Sequence, residues 1–402
     1  HQLDLPSIRE RLGVSYGLRG VALEVGGRLQ VQAELIGSAD GFNLWSQSYE
    51  RPVDDVSGVP ENISASVINA IAGDAVESQL HVQSEAESLD PEAYRHYLLG
   101  TYFLDRSGSA ADHSRAVLEL QRVVELEPEY SMGWARFARA NLGLGSVSIK
   151  PEHFEPSRTA AERAIALSPE LAEAWAVLAG IKISTASDIV GAYVAAQRAV
   201  RLGPNMEYPT RLAGTLEAAY GRPLEAMKLS LAAAQIDPLN PAALRNACLF
   251  ALYSDELDVA VENCNKALDL NEKAVVVSYM LARAYAAKGE IATAFEALEK
   301  EPLVPFRDFG RAFIYIADED IEQAESQFDF LVDKYSDIAA INLAELEGFM
   351  GDSDGAFEWL AAAAEGKDPG LFEARSMPGL RNLHDDPRWE EFIVNAGLQD
   401  PP

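Results

Sequence analysis

Over residues 91–367 apolar and small side chains recur with helical spacing, and one small residue returns at a longer period. Ala226, Ala260, Ala294, Ala324 and Ala356 are separated by steps of 34, 34, 30 and 32 residues, and twelve residues before each stands Gly214, Cys248, Ala282, Ala312 or Ala344. Small residues at matched positions let two antiparallel helices approach closely, so the period predicts a row of about eight helical hairpins. Leu-Glu-Pro at 126–128, Leu-Ser-Pro at 167–169, Leu-Gly-Pro at 202–204 and Ile-Asp-Pro at 236–238 close the first four. Proline ends a helix because it has no N–H to donate. Glu272 stands at the fifth such place, and Pro302 and Pro305 cut short the second helix of the sixth unit.

Residues 1–78 follow a different rhythm. After a short helix expected over 6–12, apolar and polar residues alternate over 15–25, 28–36 and 43–49, with Gly26-Gly27 and residues 38–41 as turns. In the second run Leu29, Val31, Ala33 and Leu35 share a face, the pattern of a half-buried strand, and a helix is expected from about Glu61 to Val76. The Glu/Ser-rich stretch 79–90 reads as a linker or a solvated extension of the preceding helix, and 368–402 as a terminal cap in which Trp389 and Phe392 cover the last hairpin.

Trp134 and Trp175, each six residues past a closing proline, and the recurring small residues resemble the tetratricopeptide (TPR) consensus. Leu12-Gly13-Val14-Ser15-Tyr16-Gly17-Leu18-Arg19-Gly20, the run from Gly27 to Ile36, and Leu44-Trp45-Ser46-Gln47-Ser48-Tyr49-Glu50-Arg51 resemble the second half of a bacterial TolB-amino-terminal-like (FlgO-like) domain. The match departs at Val21, where that family carries a small polar residue after the turn glycine, and it lacks the family's first β–α half, as in a fragment. The fold class implied is mainly α: a TPR-type α–α superhelix preceded by a small α+β domain. Such combinations resemble the sensory or interaction regions of CadC-like regulators and adenylate-cyclase-associated proteins. The expectation is therefore a cytoplasmic or periplasmic region of a larger bacterial signalling or transcriptional regulatory protein. Opening on His1, the chain reads as tagged or cut from something longer. A scaffold for cell-envelope or secretion machinery is the alternative.

A net charge of −30 argues against direct binding to nucleic acid or anionic lipid, which need clustered Lys and Arg, and no apolar run is long enough to span a membrane. Cys248 and Cys264 fall on facing positions of one hairpin, where a bond is geometrically possible, although buried free thiols are commoner at such positions. No phosphate-binding glycine loop, zinc spacing or nucleophile elbow occurs, the six histidines are scattered, and no cofactor is expected. The chain therefore reads as non-catalytic.

By the TPR resemblance, the first helix of each hairpin lines an inner groove. The positions that point inward are Tyr94, Tyr97 and Thr101, then Arg139, Tyr208, Arg211, Arg245, Leu249, Tyr253, Tyr279, Arg283, Phe306, Phe309 and Phe313. Arg139, Arg211, Arg245 and Arg283 make a file of planar forks suited to a carboxylate, so the expected partner is a protein or peptide, acidic or ending in a free carboxylate. Two plainer readings stand beside it: the arginines pair with internal Glu or Asp, and the phenylalanines are core. A homodimer through the edge of the N-terminal sheet is also expected, since an uncovered strand edge invites pairing.

Overall fold

Three strands, β1 (Tyr16–Val25), β2 (Arg28–Gly37) and β3 (Asn43–Pro52), form an antiparallel meander in that order. The β1–β2 turn needs Gly26 and Gly27, which both take positive φ, at 60° and 75°. Leu18, Leu35 and Trp45 lie across from one another, and the β2–β3 register shifts between Leu35 and Ile36. Helix α1 (Val59–Ala72) packs on β3; Ala33 and Leu35 are buried, while Leu18, Val21, Leu23 and Val25 of β1 are exposed.

The computed structural model describes residues 14–38, 43–52, 59–72, 89–105, 110–148, 151–185, 188–366 and 368–399. The short helix expected over 6–12, most of the linker, and the end of the helix expected to reach Val76 lie outside them.

The chain packs as two compact units, one ending at His153 and one beginning at Phe154. The first holds the sheet, α1, α2 (Pro91–Asp105), α3 (Ala110–Leu126), α4 (Ser131–Ser148) and a 3-10 turn at Pro151–His153. Tyr94, Leu104, Leu120 and Val123 form the core of its helices.

The second unit runs through α5 (Phe154–Leu167), α6 (Ala172–Ser184), α7 (Ile189–Leu202), α8 (Glu207–Ala219), α9 (Pro223–Ile236), α10 (Pro241–Tyr253), α11 (Leu257–Leu270), α12 (Val277–Ala287), α13 (Ile291–Leu298), α14 (Val304–Ala317), α15 (Ile321–Tyr335), α16 (Ala340–Met350) and α17 (Ser353–Gly366). Two 3-10 turns, Pro369–Glu373 and Pro378–Leu383, lead to α18 (Pro387–Asn395). The fold is mainly α, a TPR-type row of antiparallel hairpins that follows a small antiparallel sheet in the sequence.

The repeated small residues do the packing. Ala226, Cys248, Ala260, Ala282, Ala294, Ala344 and Ala356 have no exposed surface, and a Cβ at Gly214 would stand 3.0 Å from the carbonyl oxygen of Ala226. The consensus tryptophans act as turn pins: Nε1 of Trp134 donates to the Pro128 carbonyl and Nε1 of Trp175 to that of Pro169, each at 2.9 Å. First helices also meet one another in succession, α6 with α8, α8 with α10, α10 with α12, α12 with α14 and α14 with α16, and so form the inner face.

The degenerate repeats have a visible cause. Eight-residue α13 leaves room for Glu301, fully buried, to turn back and accept from the backbone N–H groups of Val276 (3.0 Å) and Tyr279 (3.3 Å). The first turn of α12 is thereby capped by the loop that follows α13, not by its own preceding residues.

Cys248 and Cys264 are bonded to each other, not free thiols, with Cα atoms 5.3 Å apart. The close approach that the small-residue position creates brings the two helices within bonding range.

Replacing Gly214 with Val should cost about 1–3 kcal/mol by overpacking this contact, whereas Leu118→Ser, at an exposed position of α3, should stay within about 0.5 kcal/mol of wild type. Urea unfolding followed by circular dichroism checks both.

Candidate functional site

Helix α10 shows how the inner face arises. Ala243, Ala247, Cys248 and Ala251 are buried in helix–helix contacts, leaving Arg245 and Leu249 half-buried on the remaining side. On α8 the same logic leaves Tyr208 and Arg211 half-buried. Nε of Arg211 donates to Glu207 at 2.5 Å, and its guanidinium lies 5.3 Å from the Tyr208 ring centre. Nδ2 of Asn246 donates to Oγ1 of Thr215 at 3.3 Å, a polar tie between the two helices.

The C-terminal segment lies across this face. Oγ of Ser376 donates to the Ala218 carbonyl at the end of α8 (2.6 Å), and Arg381 reaches Asp255 (2.5 Å) and the carbonyl of Tyr253 beyond α10. Against α16, Gly348 and Gly379 meet with no room for a Cβ on either. Leu371, Ala374, Met377, Leu380 and Leu383 are buried, so the segment is a seated strap. Its last helix, α18, contacts α17: the Arg388 guanidinium sits 4.2 Å from the Phe357 ring centre and pairs with Asp354 at 2.8 Å.

Under the strap is a cluster of charged and phenolic groups. Nη2 of Arg283 donates to Oε1 of Glu345 at 2.7 Å and Nη1 to the Tyr279 hydroxyl at 3.1 Å, while the guanidinium stacks 3.9 Å from the Phe313 ring centre. Oε2 of Glu345 has no hydrogen-bond partner among the described residues. The Tyr253 hydroxyl donates to Oε2 of Glu373, on the strap, at 2.8 Å. Arg245 has no hydrogen bond or ion pair among the described residues; its charged neighbours are Arg211, which repels it, and Glu373, which attracts it. Both Arg245 and Glu373 keep some accessible surface while protein encloses them on nearly every side.

These surroundings shift the titrations. Burial, chiefly, holds the Glu373 carboxyl up to about 7; Tyr253, Arg245 and Arg283 pull it down, and Glu345 pushes it up. Burial and the Arg211 charge lower Arg245. Burial also lowers Arg283, but the Glu345 carboxylate and the two tyrosines more than offset it, so its net shift is upward. Tyr279 is pushed up to about 12, mainly by burial.

The inward positions therefore separate into groups. Tyr208, Arg211, Arg245 and Leu249 are partly open. Tyr253, Tyr279, Arg283 and Phe313 are buried, the first three next to carboxylates of the chain itself. Phe309 packs 5.8 Å from Tyr335, inside its own hairpin, and Phe306 lies 5.3 Å from Tyr279. Arg139, Tyr94, Tyr97 and Thr101 belong to the first unit, where Arg139 lies near buried His113. The carboxylates Glu207, Glu345 and Glu373 were not singled out by sequence; only the i, i+4 spacing of Glu207 and Arg211 was available as a signal. Among the described residues no three His, Cys, Asp or Glu gather to hold a metal, and no helix is long and apolar enough to cross a membrane.

No protein-family model matches the chain. A Rhizobium meliloti (strain 1021) protein named putative adenylate cyclase 3 is 26% identical over 125 residues, 31% of this chain and 21% of that protein. The match thus spans about a fifth of that relative's length. Among solved structures, PilF of Pseudomonas aeruginosa is 19% identical and aligns over 54% of this chain and 98% of its own, with a TM-score of 0.41. TTC0263, a thermophilic TPR protein of Thermus thermophilus, is 18% identical over 48% of this chain and 98% of its own, TM-score 0.40. The human IFIT1 dimer with PPP-AAAA is 18% identical over 68% of this chain and 72% of its own, TM-score 0.45.

Arg283→Met should cost about 3–5 kcal/mol, because Glu345 is left buried without its counter-charge, and Arg283→Met with Glu345→Met should recover most of that loss. Guanidinium titrations of the three proteins test this.

Because the folded-state pKa of Glu373 is raised above its ordinary value of 4.5, its contribution to stability is full below about pH 4.5 and is lost as pH rises through about 7. Glu373→Gln never ionises. It should gain on the wild type as pH rises from 5 to 8, by on the order of 2–3 kcal/mol at the upper end. Melting curves across that range give the answer; a constant difference would refute it.

Proposed function

We propose that this chain is a non-catalytic interaction module, the sensory or interaction region of a larger bacterial signalling protein, and that it holds a protein or peptide on the inner face of its second unit. The observation that carries this reading is Arg245: a guanidinium with no hydrogen bond or ion pair among the described residues, with Arg211 as a charged neighbour and Leu249 one turn along its own helix, in a chain of net charge −30. A chain with nearly twice as many acids as bases has carboxylates enough to pair its arginines, and a half-buried guanidinium without a hydrogen bond is suited to a carboxylate from outside. The same net charge disfavours a polyphosphate backbone as the ligand.

The larger context is supported by the relative named as an adenylate cyclase, which extends far beyond the matched 125 residues. The bond between Cys248 and Cys264 favours an oxidising compartment, and so a periplasmic region. The reading as a TolB-like N-terminal half-domain rests on the motif resemblance together with the three-stranded meander and its packed helix. An envelope or secretion scaffold is the alternative within the same class.

Selection from a displayed library of free C-terminal peptides tests the reading. Recovered peptides should be rich in carboxylates and be lost with Arg245→Glu, while the helical melt of that variant stays intact. Peptides that bind wild type and a folded Arg245→Glu equally would place the ligand elsewhere.

A further inference from the structure

Besides the inner face, two features of the molecule invite a role. The β1 edge with its exposed Leu18, Val21, Leu23 and Val25 has nothing in the structure that identifies what covers it. Among the described residues the many carboxylates gather nowhere in a set able to hold a metal and so point to no ligand. The cluster around Glu373 goes further, because it joins an open cation, a neighbouring internal anion and a fixed hydrogen-bond donor.

Resting on the inner-face reading above, we infer that Arg245 receives a carboxylate of the bound peptide and that Glu373 is its built-in competitor, so that binding takes up one proton at Glu373. Arg245 has one attractive neighbour, the Glu373 carboxylate, and one repulsive neighbour, Arg211. While Glu373 is ionised, part of the field of Arg245 is already neutralised, and an incoming carboxylate meets a second anion. When Glu373 gains a proton from solvent, one O–H bond forms and its negative charge is lost. Protonated on Oε1, the group still accepts from the Tyr253 hydroxyl at Oε2, so the strap need not move. Displacement of the strap is not required, and the burial of Leu371, Ala374, Met377 and Leu380 opposes it.

The groups that face Glu373 all bear on this exchange. Helix α10 contributes Tyr253 and Arg245, α12 contributes Arg283 and Tyr279, and α16 contributes Glu345. Helix α8 brings Arg211, paired with Glu207, to Arg245. On the strap itself Arg375 donates to the Leu398 carbonyl (2.9 Å). Arg283 is held by Glu345, which leaves Arg245 as the cation open to a second anion. Burial chiefly raises Glu373 to about 7, so the exchange falls near neutrality.

The test uses a rhodamine-labelled tri-aspartate peptide with a free C-terminus, whose carboxylates stay ionised and whose dye does not titrate from about pH 5.5 to 8.5. Anisotropy should show wild-type affinity falling toward about tenfold per pH unit above 7, as one linked proton requires. Glu373→Gln should bind tightly with no such slope, and Arg245→Met should bind weakly throughout. His384, lowered by burial and stacked on Trp389, also changes charge in the tail, and the Glu373→Gln profile separates the two. Titration calorimetry of wild type in two buffers of different ionisation enthalpy should register uptake approaching one proton at about pH 8. It needs no variant to fold.

Absence of proton uptake, or an unchanged slope in Glu373→Gln, overturns the coupling and leaves the inner-face reading standing. A probe that binds Arg245→Met as it binds wild type overturns the inner-face reading itself. Failure of both wild type and Glu373→Gln to bind at any pH overturns the receptor.

Discussion

The close approach of paired helices at small residues is the constraint on which the second unit depends. Where a Cβ at Gly214 would press on the Ala226 carbonyl, and where Ala260, Ala282 and Ala294 have no exposed surface, each hairpin closes without large side chains between its helices. Close packing of this kind tolerates little change in volume. It also assigns the other residues their direction. With alanines turned toward the neighbouring helix, the long side chains of α8, α10 and α12 must leave by the remaining side, and successive first helices align them. Polar and aromatic residues thus collect on the inner face because small residues already occupy the contacts.

Such a collection is costly if left alone. A charged or polar group removed from water is stabilised by a partner, and the inner face supplies one to Arg283 and to Tyr253 in two ways. Arg283 takes Glu345 from four helices further along, an ion pair within one continuous row of helices. Tyr253 takes Glu373 from outside the row, on the strap. The strap therefore does more than end the array: it carries apolar anchors into the inner face and brings a carboxylate with them. Its glycine contact with α16 shows how closely its backbone lies, since Gly348 and Gly379 leave no space for a side chain between them.

Much of this was legible from local spacing. The alanine period, the closing prolines, the tryptophans that pin two turns and the shortened sixth hairpin are all written within one or two helices, and the structure has them where the spacing puts them. The alternation in the N-terminal segment likewise identifies three strands. What spacing cannot carry is the identity of a distant partner. Ser376 and Ala218 are 158 residues apart, and Arg283 and Glu345 are 62 apart, so no periodicity connects them. Helical position placed Arg283 and Tyr279 on one side of α12 but said nothing of the carboxylate that meets them there. The cysteines show the same boundary: facing positions were readable, bond formation was not, because the spacing is equally compatible with two thiols.

Arg245 shows why an acidic chain can still present an open cation. Supply of carboxylates is not the limit, since 63 Asp and Glu stand against 33 Lys and Arg. The limit is geometry. On α8, Glu207 lies one turn before Arg211 and closes a pair within the helix, while on α10 the equivalent place is Pro241, which opens the helix and carries no charge. All four places within pairing reach on α10, Pro241, Ala242, Cys248 and Leu249, are uncharged, so Arg245 lacks an intrahelical partner, and Glu373 approaches it from the strap without a direct hydrogen bond. Helix initiation takes Pro241 and the contact with the neighbouring helix takes Cys248, so the demands of packing along α10 leave the guanidinium without a carboxylate on its own helix.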